Sequence, residues 1–138
     1  MRIMAVDYGK TRVGVAISDP LCVISQPLLT LKVRSDRELI KRLKYIVIEN
    51  DVGLILIGNP LSHEGKSTKM SDEIARFLKK LKRSIDIEVK LWDERFTSKF
   101  ALNILKEMGL QVQKDKTDQI AASLILEEYL KAQSTRSA

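Results

Sequence analysis

The apolar residues in the first quarter of the chain have the spacing of three consecutive β-strands. A continuous apolar run within residues 2–7 is typical of a strand that is buried on both faces. The turn at residues 8–11 predicts a hairpin to a second strand over 13–18, in which larger apolar and small residues alternate. A third strand is expected over 23–31, and Pro27 favours an edge position because proline cannot donate a backbone hydrogen bond.

The rest of the chain alternates between helix and strand patterns. Helices are predicted over residues 35–49, 69–82, 98–108 and 118–131, and strands over residues 54–57 and 85–91. Ser35 is a candidate N-cap of the first helix, and Ser67 or Thr68 is expected to begin the second. The order βββαβαβαα predicts an α/β fold with a mixed five-stranded sheet and helices on both faces. Because residues 133–138 are small and polar, we expect a single domain over residues 1–132 and a flexible C-terminal tail.

The glycines of the first hairpin suggest two local structural features. Gly14 and Ala16 lie on one face of the second predicted strand, which leaves room for a packed element or a nucleic-acid backbone. Gly9, in the turn, can adopt a positive φ.

Composition narrows the class of protein. No apolar run approaches the roughly 20 residues that span a bilayer, and the N-terminus lacks the order of a secretory signal, so we expect a cytoplasmic protein without a membrane partner. The formal net charge of +6 favours a polyanionic partner such as nucleic acid, although a solvated surface rich in Lys and Glu would give the same charge.

The scarcity of Cys and His restricts the chemistry. Cys22 and His63 are each the single residue of their type, which excludes an internal disulfide and a metal site built from Cys and His ligands. Any metal ion must therefore be bound by oxygen atoms. A phosphate-binding loop is also excluded at Gly65-Lys66, because the glycine required five residues earlier is replaced by Pro60.

Three acidic segments are candidates for that oxygen-ligand site. Asp7 ends the first buried strand, where a carboxylate is costly unless a cation or several donors satisfy it, although it could also serve only the turn. Asp93 and Glu94 follow the fifth strand and point to opposite faces, and alternation alone does not identify which of them faces a site. Surface ion pairs would explain both equally well.

Asp118 begins the last predicted helix on the same stripe as Ala121, Ala122, Ile125 and Tyr129. The two alanines would let the helix approach the sheet closely and bring Asp118 to the rim of the strands. A simple capping role in the first turn is the competing explanation. Together, three acids suit Mg²⁺ or Mn²⁺, and two such ions can promote phosphodiester hydrolysis while Lys and Arg bind backbone phosphates.

Four motifs, taken together, resemble the YqgF family, also called RuvX-like proteins, over about residues 2–130. These proteins are described as Holliday junction resolvases and as nucleases that mature the 5′ end of the small-subunit (16S) ribosomal RNA precursor. The motifs are Asp7-Tyr8-Gly9 with Arg12-Val13-Gly14-Val15-Ala16, Gly58-x-Pro60, Asp93-Glu94-Arg95-Phe96-Thr97-Ser98, and Asp118-Gln119-Ile120-Ala121-Ala122.

The resemblance implies an RNase H-like fold and a Mg²⁺- or Mn²⁺-dependent nuclease. Its catalytic, metal-binding residues would be Asp7, Glu94 and Asp118, with Asp93 close by. The substrate-binding residues that it implies are Lys10, Arg12, Arg95 and Thr97. Expected partners are structured RNA, branched DNA and the ribosome or its precursor, for a monomer or a homodimer.

Three other functions stay open from the sequence. A four-way DNA junction could be the substrate, since its cleavage uses the same chemistry. The chain could be a non-catalytic RNA- or ribosome-binding module on the same scaffold. An ATPase of the actin and sugar-kinase kind also begins with Asp-x-Gly on a hairpin, but it needs two lobes of about this size.

Overall fold

The computed structural model describes residues 1–61, 64–94 and 114–137. Within these ranges it contains five strands and three helices. The strands are β1 (Arg2–Asp7), β2 (Arg12–Ser18), β3 (Ser25–Lys32), β4 (Val52–Asn59) and β5 (Glu88–Asp93). The helices are α1 (Asp36–Glu49), α2 (Lys69–Ser84) and α3 (Lys114–Ser137). The helix predicted over residues 98–108 lies outside the described residues.

The strands form one mixed sheet in the order β3-β2-β1-β4-β5, which confirms the predicted five-stranded α/β architecture. The hairpins β1–β2 and β2–β3 are antiparallel, whereas β4 lies parallel to both β1 and β5. β3 occupies an edge as predicted, and the register shifts between Val15 and Ala16, beside the position that pairs with Pro27. The parallel strands β1, β4 and β5 therefore end at the same edge of the sheet.

Helices cover both faces of the sheet and define two apolar layers. α1 and α2 pack on one face, where Met4, Val6 and Ile57 meet Leu43 and other residues of the two helices. α3 packs on the opposite face against alternate residues of the same strands, among them Ala5, Ala16 and Leu56. Because the side chains of β1 and β4 are buried on both sides, their apolar runs are continuous.

Side-chain caps set the beginnings of α1 and α2. The hydroxyl of Ser35 accepts a hydrogen bond from the amide of Glu38 at 3.1 Å, as the predicted N-cap of α1 requires. Thr68 caps α2 in the same way, and the Ser71 hydroxyl accepts from the Thr68 amide to complete a capping box. The segment that resembles a phosphate-binding loop is therefore an ordinary helix start.

α3 is longer than its apolar pattern predicts. It begins four residues before Asp118, because polar residues fill its first turn, and it continues to Ser137. Residues 133–137, expected in a flexible tail, are thus helical; neither Gly nor Pro interrupts this stretch. The division into a domain over 1–132 and a tail stays a prediction. Among the described residues, no helix is long and apolar enough to cross a membrane.

The small face of β2 is covered by α3 rather than open to a nucleic-acid backbone. A Cβ added at Gly14 would overlap the main-chain carbonyl group of Asp118. Gly9 is needed for a similar reason, since its φ is not positive and an added Cβ would overlap the carbonyl oxygen of Arg12. Both glycines thus serve close backbone approach.

Because of the contact at Gly14, adding one methyl group at this position should destabilise the protein strongly. Gly14→Ala should lower the free energy of unfolding by about 1 to 3 kcal/mol, because main chain on both sides must move to admit it. Urea unfolding followed by circular dichroism would measure the loss.

Gly53→Ala, in β4 of the same sheet, is the matched control. Its added Cβ would meet the Met1 side chain, with the sulfur at 2.7 Å, and that side chain is 76% exposed and can move away. Equal losses of stability in the two variants would contradict the proposed tight contact between α3 and β2.

Candidate functional site

Asp7 stands at the end of the central strand β1, on the face covered by α3. It is two residues beyond Ala5, which packs in the α3-side layer, and strand alternation assigns both to that face. In the β1–β2 hairpin Asp7 lies directly opposite Gly14. Its side chain is half-buried. The strand thus presents a carboxylate opposite Gly14, where the main chain of α3 lies against the sheet.

Asp118 reaches the same place from α3. Its main chain packs on Gly14, the residue opposite Asp7, as the predicted stripe with Ala121 and Ala122 requires. Both alanines are fully buried. The Asp118 carboxylate is 17% exposed and accepts a 3.0 Å hydrogen bond from Nε of Arg12, at the start of β2. This ion pair joins residues 106 positions apart in the sequence.

Glu94, directly after β5, is buried, with 4% of its surface exposed. Its side chain lies over Gly58, where an added Cβ would overlap Oε1. Gly58 follows Ile57, and Ile57 pairs with Val6, the residue before Asp7. Trp92, two residues earlier on the same face, meets Tyr129 of α3 edge to face at 5.3 Å. Glu94 therefore faces α3, as Asp7 does.

Asp93 occupies a different position. It is in register with Asn59 of β4, and alternation assigns it to the face opposite Trp92 and Glu94. The Asn59 side-chain oxygen is buried and has no hydrogen-bond donor among the described residues. The question that alternation left open, which of the two acids shares a face with Asp7, is thus answered for Glu94.

The site combines three carboxylates from β1, α3 and the end of β5, on one face at one edge of the sheet. Carboxylate oxygens are the ligands that a hard divalent cation prefers. The backbone at Gly58 also fits such a site, because only a residue without Cβ leaves room for the Glu94 carboxylate. Within the described ranges, however, no three acidic side chains are already arranged around a common metal position. A metal-bound state would therefore require these side chains, and Arg12 beside Asp118, to adjust.

The predicted substrate-binding residues are placed differently from one another. Arg12 lies within the site, on the Asp118 carboxylate. Lys10, in the β1–β2 turn, forms an ion pair of 3.2 Å with Glu73 of α2, and its own side chain is 67% exposed. Arg95 and Thr97 lie outside the described residues.

Tyr8 anchors the turn that follows Asp7. Its hydroxyl donates to the Asp36 carboxylate at 2.6 Å, and Lys80 donates to the other oxygen of Asp36 at 3.1 Å. The Tyr8 ring packs on Phe77, with the centroids 4.8 Å apart. Burial, and then the hydrogen bond and charge of Asp36, raise the pKa of Tyr8 far above its ordinary value. These contacts tie the loop after Asp7 to both α1 and α2.

Two features of the site escape sequence reasoning. The first is the contact of Glu94 with Gly58. Gly58 belongs to the motif Gly58-x-Pro60, and a glycine inside a buried strand indicates that another group packs closely on it. Nothing in the sequence indicates that this group is the Glu94 side chain. The Arg12–Asp118 pair is the second, since sequence spacing carries no signal for a contact between the first hairpin and the last helix.

Comparison with known proteins gives a consistent family. The family model described as "RuvX: Holliday junction resolvase" matches residues 1–132. A protein of Thermoanaerobacter pseudethanolicus is 37% identical over 99% of this chain and 100% of its own length. A protein of Acetivibrio thermocellus is 41% identical over 94% of this chain and 95% of its own. Both carry the name "Putative pre-16S rRNA nuclease".

Solved structures show the same fold at low sequence identity. RuvC of Thermus thermophilus, in complex with a Holliday junction substrate, superimposes with a TM-score of 0.57 at 13% identity, over 97% of this chain and 96% of RuvC. The yeast mitochondrial Holliday junction resolvase Ydc2 also gives a TM-score of 0.57, at 12% identity, over 96% of this chain and 78% of Ydc2. The sheet with its flanking helices is thus an RNase H-like fold, as the motifs implied.

The raised pKa of Tyr8 predicts a pH dependence of stability. In the unfolded chain Tyr8 ionises near its ordinary value of about 10, whereas the folded protein keeps the phenol protonated to higher pH. The stabilisation is therefore fully present below about pH 10 and is lost as pH rises above it. Tyr8→Phe, which has no such proton, should lose less stability than the wild type between about pH 9 and 11.

Urea unfolding at several pH values would measure this difference. Near neutral pH we expect Tyr8→Phe to be about 1 kcal/mol less stable, because the hydrogen bond to Asp36 is lost. Tyr45, which is 65% exposed, provides the control variant Tyr45→Phe. If the wild type, Tyr8→Phe and Tyr45→Phe lost stability in parallel with rising pH, Tyr8 would not have the pKa inferred from its contacts.

Proposed function

The chain belongs to the RuvX family of Holliday junction resolvases, and from this membership we propose that it is a nuclease that hydrolyses phosphodiester bonds in the 16S ribosomal RNA precursor. The name that the two bacterial relatives share supports RNA maturation. The net charge of +6 supports a polyanionic substrate. Cytoplasmic location and a ribosomal precursor as partner belong to the same proposal.

One observation carries the proposal: three acids distant in sequence converge on a single face of the sheet, at the edge where the parallel strands end. In sheets of this kind, sites are commonly built beyond the carboxyl ends of the strands. Asp7 comes from the central strand, Glu94 is buried over Gly58, and Asp118 is brought in by α3. A purely capping or turn-forming role for each acid would not require this convergence.

We assign the binding of Mg²⁺ or Mn²⁺, most simply two ions, to Asp7, Glu94 and Asp118. When bound, such ions would supply an activated water and stabilise the leaving oxygen. The protein's own contribution is position and charge. Asp7 is fixed by the strand and by the anchored turn at Tyr8, and Glu94 is shielded from solvent. Arg12 places a cation beside Asp118, where a substrate phosphate would be attracted.

Lys10, Arg95 and Thr97 complete the proposed substrate-binding residues. Lys10 would have to leave Glu73, a contact whose lysine side is largely exposed and therefore weak. Asp93 would act by positioning the segment that carries Glu94.

A four-way DNA junction is the second candidate substrate, and the description of the matching family favours it. Cutting both strands of a junction symmetrically would require a homodimer, whereas RNA maturation is compatible with a monomer. A non-catalytic RNA-binding module is the third candidate. The presence of all three acids argues against it.

The proposed roles predict the loss of cleavage in two isosteric variants. Asp7→Asn and Glu94→Gln should each reduce cleavage of a labelled 16S precursor by at least about 100-fold, because each removes a charged ligand from the centre. Cleavage products would be resolved by gel electrophoresis with Mg²⁺, with Mn²⁺ and with EDTA, and a synthetic four-way junction would be tested in parallel.

Glu88→Gln is the matched control, since Glu88 begins β5 at the opposite end of the strand and is solvent-exposed. It should cleave as the wild type does. Cleavage that survives in both Asp7→Asn and Glu94→Gln would eliminate the proposed centre. Binding without cleavage under every metal condition would favour the non-catalytic module.

A further inference from the structure

A groove of about 790 Å³ adjoins the site on the side of β2 and β3. We call it the Lys32 groove. Its lining residues are Thr11, Arg12, Lys32, Val33, Arg34 and Glu38. It lies between the open ends of the β2–β3 hairpin and the first turn of α1. Among its lining residues, the motifs imply a substrate contact for Arg12 alone, and they imply none for Lys32 or Arg34.

Strand register places two of its cations on the face of the sheet that carries the acids. Arg12 and Lys32 are direct cross-strand partners, so their side chains leave the sheet on the same face. That face is the one covered by α3, because Leu31 and Val13, one position away on each strand, are buried in the layer beneath α1 and α2. Lys32 is thus on the same face of the sheet as Asp7.

Main-chain contacts keep the groove in shape. The amide of Val33 donates to the carbonyl oxygen of Thr11 at 2.9 Å, which closes the hairpin end. Nη1 of Arg42 donates to the carbonyl oxygen of Lys32 at 3.2 Å, from the second turn of α1. These two hydrogen bonds fix the backbone that carries the lining side chains.

Positive charge predominates among the residues that line the groove. Three of the six lining residues are basic, and Glu38 is the acid among them. The Glu38 carboxylate lies near the amide of Arg34, with an N···O distance of 3.4 Å. The side chains of Lys32 and Arg34 are solvent-exposed. Cations spaced along two strands and a loop suit a row of phosphates better than one small anion.

We propose that the Lys32 groove binds the phosphodiester backbone of the substrate strand beside the bond that is cut. Arg12 makes the connection, since it lines the groove and also contacts the Asp118 carboxylate. A strand in the groove would therefore lead directly to the acidic centre. This inference rests on the proposed function, because it names the surface that holds the substrate of that site.

The test measures binding in EDTA, so that cleavage plays no part. Fluorescence anisotropy would follow a labelled single-stranded RNA and a DNA of the same sequence between about 50 and about 200 mM salt. The double variant Lys32→Ala/Arg34→Ala should bind about tenfold more weakly, with a log–log salt slope shallower by about 1.4 to 2. RNA and DNA should be affected alike, because the contacts are to phosphates.

Two controls separate a local site from general charge. Lys82→Ala/Arg83→Ala removes the same charge from exposed residues in the last turn of α2, and should change affinity less than about twofold. Glu38→Gln should tighten binding about two- to threefold, whereas Glu88→Gln, far from the groove, should not.

Equal weakening by the two double variants, or no weakening by either, would overturn the proposal. An effect on RNA alone would also overturn it, since backbone phosphates are common to both polymers. Cleavage assays on the wild type report separately on the proposed function. A wild type that binds through the groove and cleaves nothing would refute the nuclease and leave the groove standing.

Discussion

The close contact of α3 with β2 at Gly14 is the constraint on which the site depends. The carbonyl group of Asp118 occupies the space that a side chain would take at this position, so the helix can lie directly on the strand. This approach buries Ala121, Ala122 and Ile125 completely and brings the Asp118 carboxylate beside the end of β1. Close packing and the placement of a charged group are thus consequences of one missing side chain.

Gly58 has the same role for Glu94. A buried carboxylate is costly, and it is accommodated here because the strand beneath it presents only backbone. Two of the three acids are therefore positioned by glycines on β2 and β4, the strands on either side of β1. Asp7, the third acid, belongs to β1 itself. Asp7 and Asp118 belong to β1 and α3, whose core-facing apolar residues are buried. Such rigid supports favour a precise arrangement of ligands.

Charge is distributed so that the site and its surroundings complement each other. Arg12 neutralises Asp118 within the site and also lines the Lys32 groove, which makes it the link between the acidic centre and the basic surface. A nuclease of this kind must hold a polyanion next to carboxylates that repel it. Cations beside the centre offset that repulsion over short distances, where salt screens them least.

Sequence periodicity was sufficient for the described elements and their order, whereas the helix predicted over residues 98–108 lies outside the described residues. The continuous apolar runs of β1 and β4, the caps Ser35 and Thr68, and the stripe of α3 all depend on neighbours close in the chain, and the structure confirms each of them. Three acidic segments could be identified for the same reason. The predictions differ from the structure at the ends of elements. The last helix, for example, continues through residues 133–137, where neither Gly nor Pro marks a helix boundary.

The assembly of the site depended on contacts between distant residues. Alternation shows that Asp93 and Glu94 face opposite ways, but the face that matters is defined only once α3 packs on the sheet. The small residues of β2 indicate close approach without indicating the partner, which proves to be a helix rather than a nucleic acid. Arg12 and Asp118 meet across 106 positions, and local propensity contains no information about such a pairing. Local patterns specify which surfaces need a partner, and three-dimensional packing selects that partner.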